Sequence, residues 1–138
     1  MVFFDTNLFV YVVSASLEDR PRRVIAQRLI TESDFALSVQ VLQEFMDVTL
    51  RKKHLGVTPW EVKSMVSFMA TYPMAETSAA LALRALELKL RFDLRYWDAA
   101  LIAAALDLGC HTLYSEDFNH GQNYDGVTVI NPFLEAMP

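Results

Sequence analysis

The sequence predicts an α/β fold, a three-layer α/β/α sandwich with a mainly parallel central sheet, and two observations predict it. Short apolar runs of strand length at residues 2–4, 35–37, 111–114 and 127–130 alternate with longer segments whose apolar residues recur at helical spacing. Asp5 follows the first run and Asp117 lies just past the third, at the strand ends beyond which sheets of this kind bind ligands. The 138 residues, 53% of them hydrophobic, fit a single domain over residues 1–138, with no internal repeat, linker or low-complexity segment.

The elements follow in order. Val2, Phe3 and Phe4 form a buried strand that leaves into a turn or helix cap at Asp-Thr-Asn. Pro21 opens a helix with Val24, Ile25, Leu29 and Ile30 turned inward. After the strand at 35–37, Ser38 caps a helix to about residue 53, in which Val41, Glu44 and Val48 share a face, so Glu44 is expected among inward-facing residues. Thr58-Pro59-Trp60-Glu61 has the form of a capping box and starts a helix to about residue 70. Ser78 caps the next helix, with a stripe of Leu81, Ala85, Leu88 and Phe92 and with Arg84, Glu87 and Arg91 outward. Residues 96–108 form a further helix that Gly109 closes, with Asp98 on the face of Leu101, Ile102 and Ala105. Asp125-Gly126 is a turn before the last strand.

Composition narrows the function. The longest apolar stretches fall short of the ~20 residues of a membrane span, and no basic region precedes the N-terminal apolar run, so a cytoplasmic protein is expected. The lone Cys110 is expected to be a small buried residue. A net charge of −5 argues against a nonspecific nucleic-acid binder, yet every Lys and Arg falls between Arg20 and Arg95, a segregation that can set a basic rim around an acidic pocket.

That pocket is the informative feature. Asp5, Glu44, Asp98 and Asp117 each interrupt an apolar run that itself holds no Lys or Arg, and a buried carboxylate is costly without a cation to offset it. Oxygen ligands without a Cys or His cluster favour Mg2+ or Mn2+ over zinc, and a metal in an acidic crevice suits phosphodiester hydrolysis. His54 and His120 are minor candidates for RNA contact, His111 is expected to be structural, and Trp60 and Trp97 are expected mostly in the core, with base stacking the lesser reading for either.

Phe-Phe-Asp-Thr-Asn, Ser-Val-Gln-Val-Leu-Gln-Glu-Phe, Tyr-Trp-Asp-Ala-Ala-Leu-Ile and Leu-Tyr-Ser-Glu-Asp-Phe-Asn-His-Gly, in this order, resemble the acidic motifs of PIN-domain proteins, most closely VapC-like toxins of toxin–antitoxin pairs. The resemblance implies a PIN-like sandwich and a Mg2+ or Mn2+ dependent endoribonuclease, a homodimer inhibited by a small VapB-like antitoxin. Carried over by position, it puts the catalytic quartet on Asp5, Glu44, Asp98 and Asp117, with Asp5, Asp98 and Asp117 on the metal. Asn7, Ser115, Glu116 and Asn119 become supporting polar groups. Two alternatives share the fold: a stand-alone RNA-processing nuclease, and a degenerate binding module, which the complete quartet disfavours. A phosphotransferase of the haloacid-dehalogenase type would need a second Asp where this chain has Asn7.

Overall fold

The computed structural model describes residues 1–134. Along the chain run β1 (Val2–Phe4), α1 (Thr6–Val13), α2 (Arg20–Glu32), β2 (Phe35–Ser38), α3 (Val39–Arg51), α4 (Pro59–Met69), β3 (Met74–Ala75), α5 (Ala79–Phe92), α6 (Tyr96–Asp107), β4 (Thr112–Tyr114), β5 (Asn123–Tyr124) and β6 (Val127–Ile130). The sheet order is β3-β2-β1-β4-β6-β5, and every pairing is parallel except β5 with β6. Right-handed crossovers set α1–α4 on one face and α5 and α6 on the other. The packing agrees, since α1 contacts α2, α3 and α4, whereas α5 lies along α6 and α6 along the strands. Phe3 and Phe4 are both fully buried because both faces of β1 are covered.

The start signals act as expected. Ser38 accepts from the Val41 N–H and Ser78 from the Leu81 N–H, and Thr58 and Glu61 close a reciprocal capping box at α4. Gly109, at φ +72°, ends α6 in a Schellman arrangement in which the Cys110 N–H reaches the Ala105 carbonyl at 2.9 Å and its own N–H reaches Leu106 at 3.0 Å. Asp125 and Gly126, both at positive φ, make the two-residue turn of the β5–β6 hairpin.

Several expectations change. Of the turn or helix cap expected at Asp-Thr-Asn the structure has the cap, opening the eight-residue helix α1, while α3 stops at Arg51 with a separate short 3-10 turn at Lys53–Leu55. Trp60 and Trp97 are 75% and 55% exposed, so neither is a core residue. Cys110 is buried as expected, and burial pushes its thiol pKa up, away from a reactive thiolate. No helix among the described residues is long and apolar enough to cross a membrane.

Candidate active site

The chain reverses its direction of travel across the sheet at β1: β2 and β3 lie to one side, β4, β6 and β5 to the other. The crevice beyond the carboxyl ends of β1 and β4 is therefore a topological switch point. Asp5 leaves β1 there and residues 115–117 leave β4 beside it, with the Asp5 N–H bonded to the Tyr114 carbonyl at 3.1 Å. A cleft of about 450 Å³ opens at this place, walled by Asp5, Asn7, Glu44, Arg95, Trp97 and Asp117 among others.

Asp5 is 3% exposed and serves as the N-cap of α1. One oxygen accepts from the Thr6 N–H at 2.6 Å and the other from the Ser115 hydroxyl at 2.7 Å. These bonds favour the charged form, but burial outweighs them, and with Asp117 and Glu44 near, its pKa is pushed from 3.8 up to about 7. Ser115 also accepts from the Asp117 N–H at 3.1 Å, so one hydroxyl joins the first acid to the last. Asp117 is raised by burial and by the charges of Glu116 and Asp98, against a lowering by Arg95.

Glu44 is half-buried at the edge of the buried Val41, Phe45 and Thr49 face of α3, not on that face as expected. The Thr6 hydroxyl donates to one of its oxygens and the Gln40 amide to the other, both at 2.8 Å. Asp98 sits in the first turn of α6, where the helix dipole favours an anion, and pairs with Arg95 at 3.2 Å. This corrects the expectation that no basic residue attends the four acids. Arg95 lies three residues before Asp98, a spacing that puts the two side chains together on a helix end.

Glu116 points away from the cleft's centre into a cage of its own. It accepts from Tyr11 Oη and from Asn7 Nδ2, the latter at 3.0 Å, and faces Arg22 Nε at 3.8 Å. Asn7 Nδ2 also reaches Asp117 at 3.5 Å. The Asn119 amide donates to Gln122 instead, and His120 accepts the Asn131 N–H, so neither joins this network. Thr6, Tyr11 and Gln40 went unnoticed in the sequence, Arg22 and Arg95 entered it only as members of basic groups, and Trp97 was expected in the core. Gln40 and Arg95 stand four and three residues before an acid, and Thr6 next to one, whereas the partners of Tyr11 and Arg22 are distant in sequence.

The donors are carboxylate oxygens with hydroxyl and amide neighbours, the set a hard divalent cation prefers. Burial and the neighbouring acids raise Asp5 to about 7 with no cationic side chain to counter them, whereas Arg95 attends Asp98 and Asp117. Among the described residues no group of three or more His, Cys, Asp or Glu side chains is arranged to hold a metal ion. An ion that takes one or two carboxylates and keeps its waters fits such a site, and Mg2+ has that habit.

Comparison with known proteins follows the same lines. VapC20 from Mycobacterium tuberculosis, described as a toxin cleaving the sarcin–ricin loop, superposes with a TM-score of 0.69 at 19% identity over 86% of this chain and 92% of that one. A toxin–antitoxin complex from Klebsiella pneumoniae gives 0.65 at 22% identity over 96% and 98%, and FitAcB from Neisseria gonorrhoeae 0.68 at 17% over 97% and 99%. At these identities the likeness is one of fold. No curated protein sequence matches the chain closely. The family model of the PIN domain matches residues 2–124, which include every residue named around the cleft. With nearly its whole length matched, the chain belongs to the PIN domain family.

Proposed function

We propose that this protein is a divalent-metal-dependent endoribonuclease and the toxin of a toxin–antitoxin pair. The observation that carries this is the meeting of Asp5, Glu44 and Asp117 at the switch-point cleft of a PIN-family chain, with Asp98 beside them on α6. Asp5, Asp98 and Asp117 are the acids from which Mg2+ or Mn2+ would draw its one or two carboxylates, with water at the remaining positions, and Glu44 completes the catalytic quartet. When bound, the ion supplies the positive charge that admits a phosphodiester and polarises its phosphoryl oxygen.

The chain's own groups do the rest. Ser115 orients Asp5 and the Asp117 backbone together, and Thr6 and Gln40 fix Glu44 independently of any ion. Arg95 balances Asp98 until the site is filled. Asn7 and Glu116 set the loop that carries Asp117, and Asn119 supports that loop through Gln122.

Two surfaces support the proposed partners. Between α1 and α4, Val13, Trp60, Met65 and Phe68 border an apolar groove suited to an amphipathic antitoxin segment, whose Arg or Lys would enter the acidic cleft. On α5, Leu83, Leu86 and Leu90 are exposed at spacings of three and four, a stripe that a second copy in a homodimer would cover. The site of action is the cytoplasm, where RNA and antitoxin are met.

The test is expression of wild type and Asp5→Asn chains with and without the product of the adjacent small gene, alongside cleavage of RNA by purified protein. Wild type alone should arrest growth, and its cleavage should need Mg2+ or Mn2+ and stop with EDTA. Metal-dependent cleavage without growth arrest would leave an RNA-processing nuclease. Robust cleavage by Asp5→Asn would remove the carboxylate from the mechanism.

A further inference from the structure

An exposed tryptophan at the rim of an acidic cleft needs a reason. The rest of α6 from Ala99 to Ala105 is buried, yet the indole of Trp97, in its first turn, is 55% exposed and lines the same cleft as Asp5 and Asp117. It is not loose. Tyr96 packs edge-on against it with ring centroids 5.0 Å apart, and its backbone carbonyl accepts from Gln40 Nε2 at 3.0 Å. The same Gln40 nitrogen donates to Glu44, so the position of the indole is tied to that of an acid.

Beside it stands Arg95, the one cation among the described residues that line the cleft. Its side chain is 70% exposed and its recorded partner is Asp98 alone, so most of its five N–H donors face solvent. A rigid aromatic face next to a guanidinium matches the two repeating parts of a nucleic-acid strand: a flat base and a phosphate.

We propose that Trp97 and Arg95 form a nucleotide clamp, in which an unpaired base stacks on the indole while the guanidinium holds the neighbouring phosphate at the mouth of the cleft. The inference rests on the ribonuclease function proposed above and deepens it by naming the two side chains that would hold the strand. A base inside a duplex is already stacked on both sides and cannot also cover the indole, so the clamp selects single-stranded or looped-out RNA. It also selects by shape more than by sequence, because every base offers a flat face.

The Asp5→Asn protein is the background for the test, since the proposed function has it bind without cutting. A short single-stranded RNA carrying 5-iodouridine is bound and irradiated, adducts are mapped by mass spectrometry, and affinity is measured by anisotropy. The expected adduct lies on Trp97. Trp97→Ala should weaken binding on the order of 10-fold while Trp97→Phe keeps most of it, and a duplex of the same sequence should bind far less well. Arg95→Ala should lower the slope of log affinity against log salt by roughly 0.7.

Adducts confined to other residues, or unchanged affinity in a Trp97→Ala protein of wild-type melting temperature, would overturn the clamp. So would shielding of the indole by a second copy as protein concentration rises without RNA. The nuclease function fails separately, if wild type cuts no RNA with Mg2+ or Mn2+. Cleavage by Trp97→Ala at the wild-type kcat/KM would sink the clamp and leave the nuclease standing.

Discussion

Replacing Asp5 by Asn removes a buried charge while keeping the shape of the side chain, and the structure sets the size of the effect. The carboxyl is held at about 7 against 3.8, and each pKa unit corresponds to about 1.4 kcal/mol, so the ionised side chain costs the fold about 4 kcal/mol. Because the proton is bound more tightly in the folded state, this cost is absent below about pH 4. It grows as the pH rises and is complete above about 7. Asn keeps the bond from the Thr6 N–H but loses the charge-assisted bond from Ser115, a loss of about 1–2 kcal/mol. The variant should therefore exceed wild type by about 2–3 kcal/mol near pH 8 and roughly equal it near pH 5. Urea unfolding in EDTA at both pH values measures the difference, and equal m-values would show that the unfolded states are comparable. Wild type at least as stable as Asp5→Asn near pH 8, or a gap independent of pH, would refute the account of Asp5 as a strained, buried anion.

Two other outcomes follow from the same cleft. Mn2+ at about 100 times its dissociation constant should stabilise wild type by about 2.7 kcal/mol and leave an Asp5→Asn Asp98→Asn double variant unmoved, as thermal melts would register; equal shifts in both would argue against a shared ion. Tyr11→Phe takes a hydroxyl from Glu116, and should cost about 1–2 kcal/mol in chemical denaturation and lower kcat with little change in KM, because the loop bearing Asp117 loses one of its tethers.

The sequence was most informative where local chemistry decides the structure. Ser38, Thr58 and Ser78 cap helices, Gly109 ends one and Asp125-Gly126 turns a hairpin, because each of these features is settled within a few residues. The acids at strand ends were legible for the same reason. The two-residue strands β3 and β5 were not, since two residues cannot display a period and their pairing comes from neighbours already in the sheet. Trp97 misled because an aromatic beside a long apolar run ordinarily packs inward, and only the angle of the first turn of α6 sends it to the cleft. The bond from Thr6 to Glu44 spans 38 positions and the one from Ser115 to Asp5 spans 110, distances at which no spacing rule operates.

The separation of Ser115 from Asp5 has a consequence for the timing of synthesis. Asp5 is made before the helices from α1 to α6, yet the hydroxyl that orients it and the β4 strand beside it arrive only after those helices. β1 meanwhile has one of its two neighbours, β2, and an open edge where β4 will add. Long-range pairing of this kind forms late and as part of a whole domain. A ribosome-bound intermediate therefore carries Asp5, Glu44 and Asp98 without the loop that brings in Asp117. The acidic site is therefore completed only after the chain has been made through β4 and Asp117, so the order of synthesis itself delays the activity proposed for it.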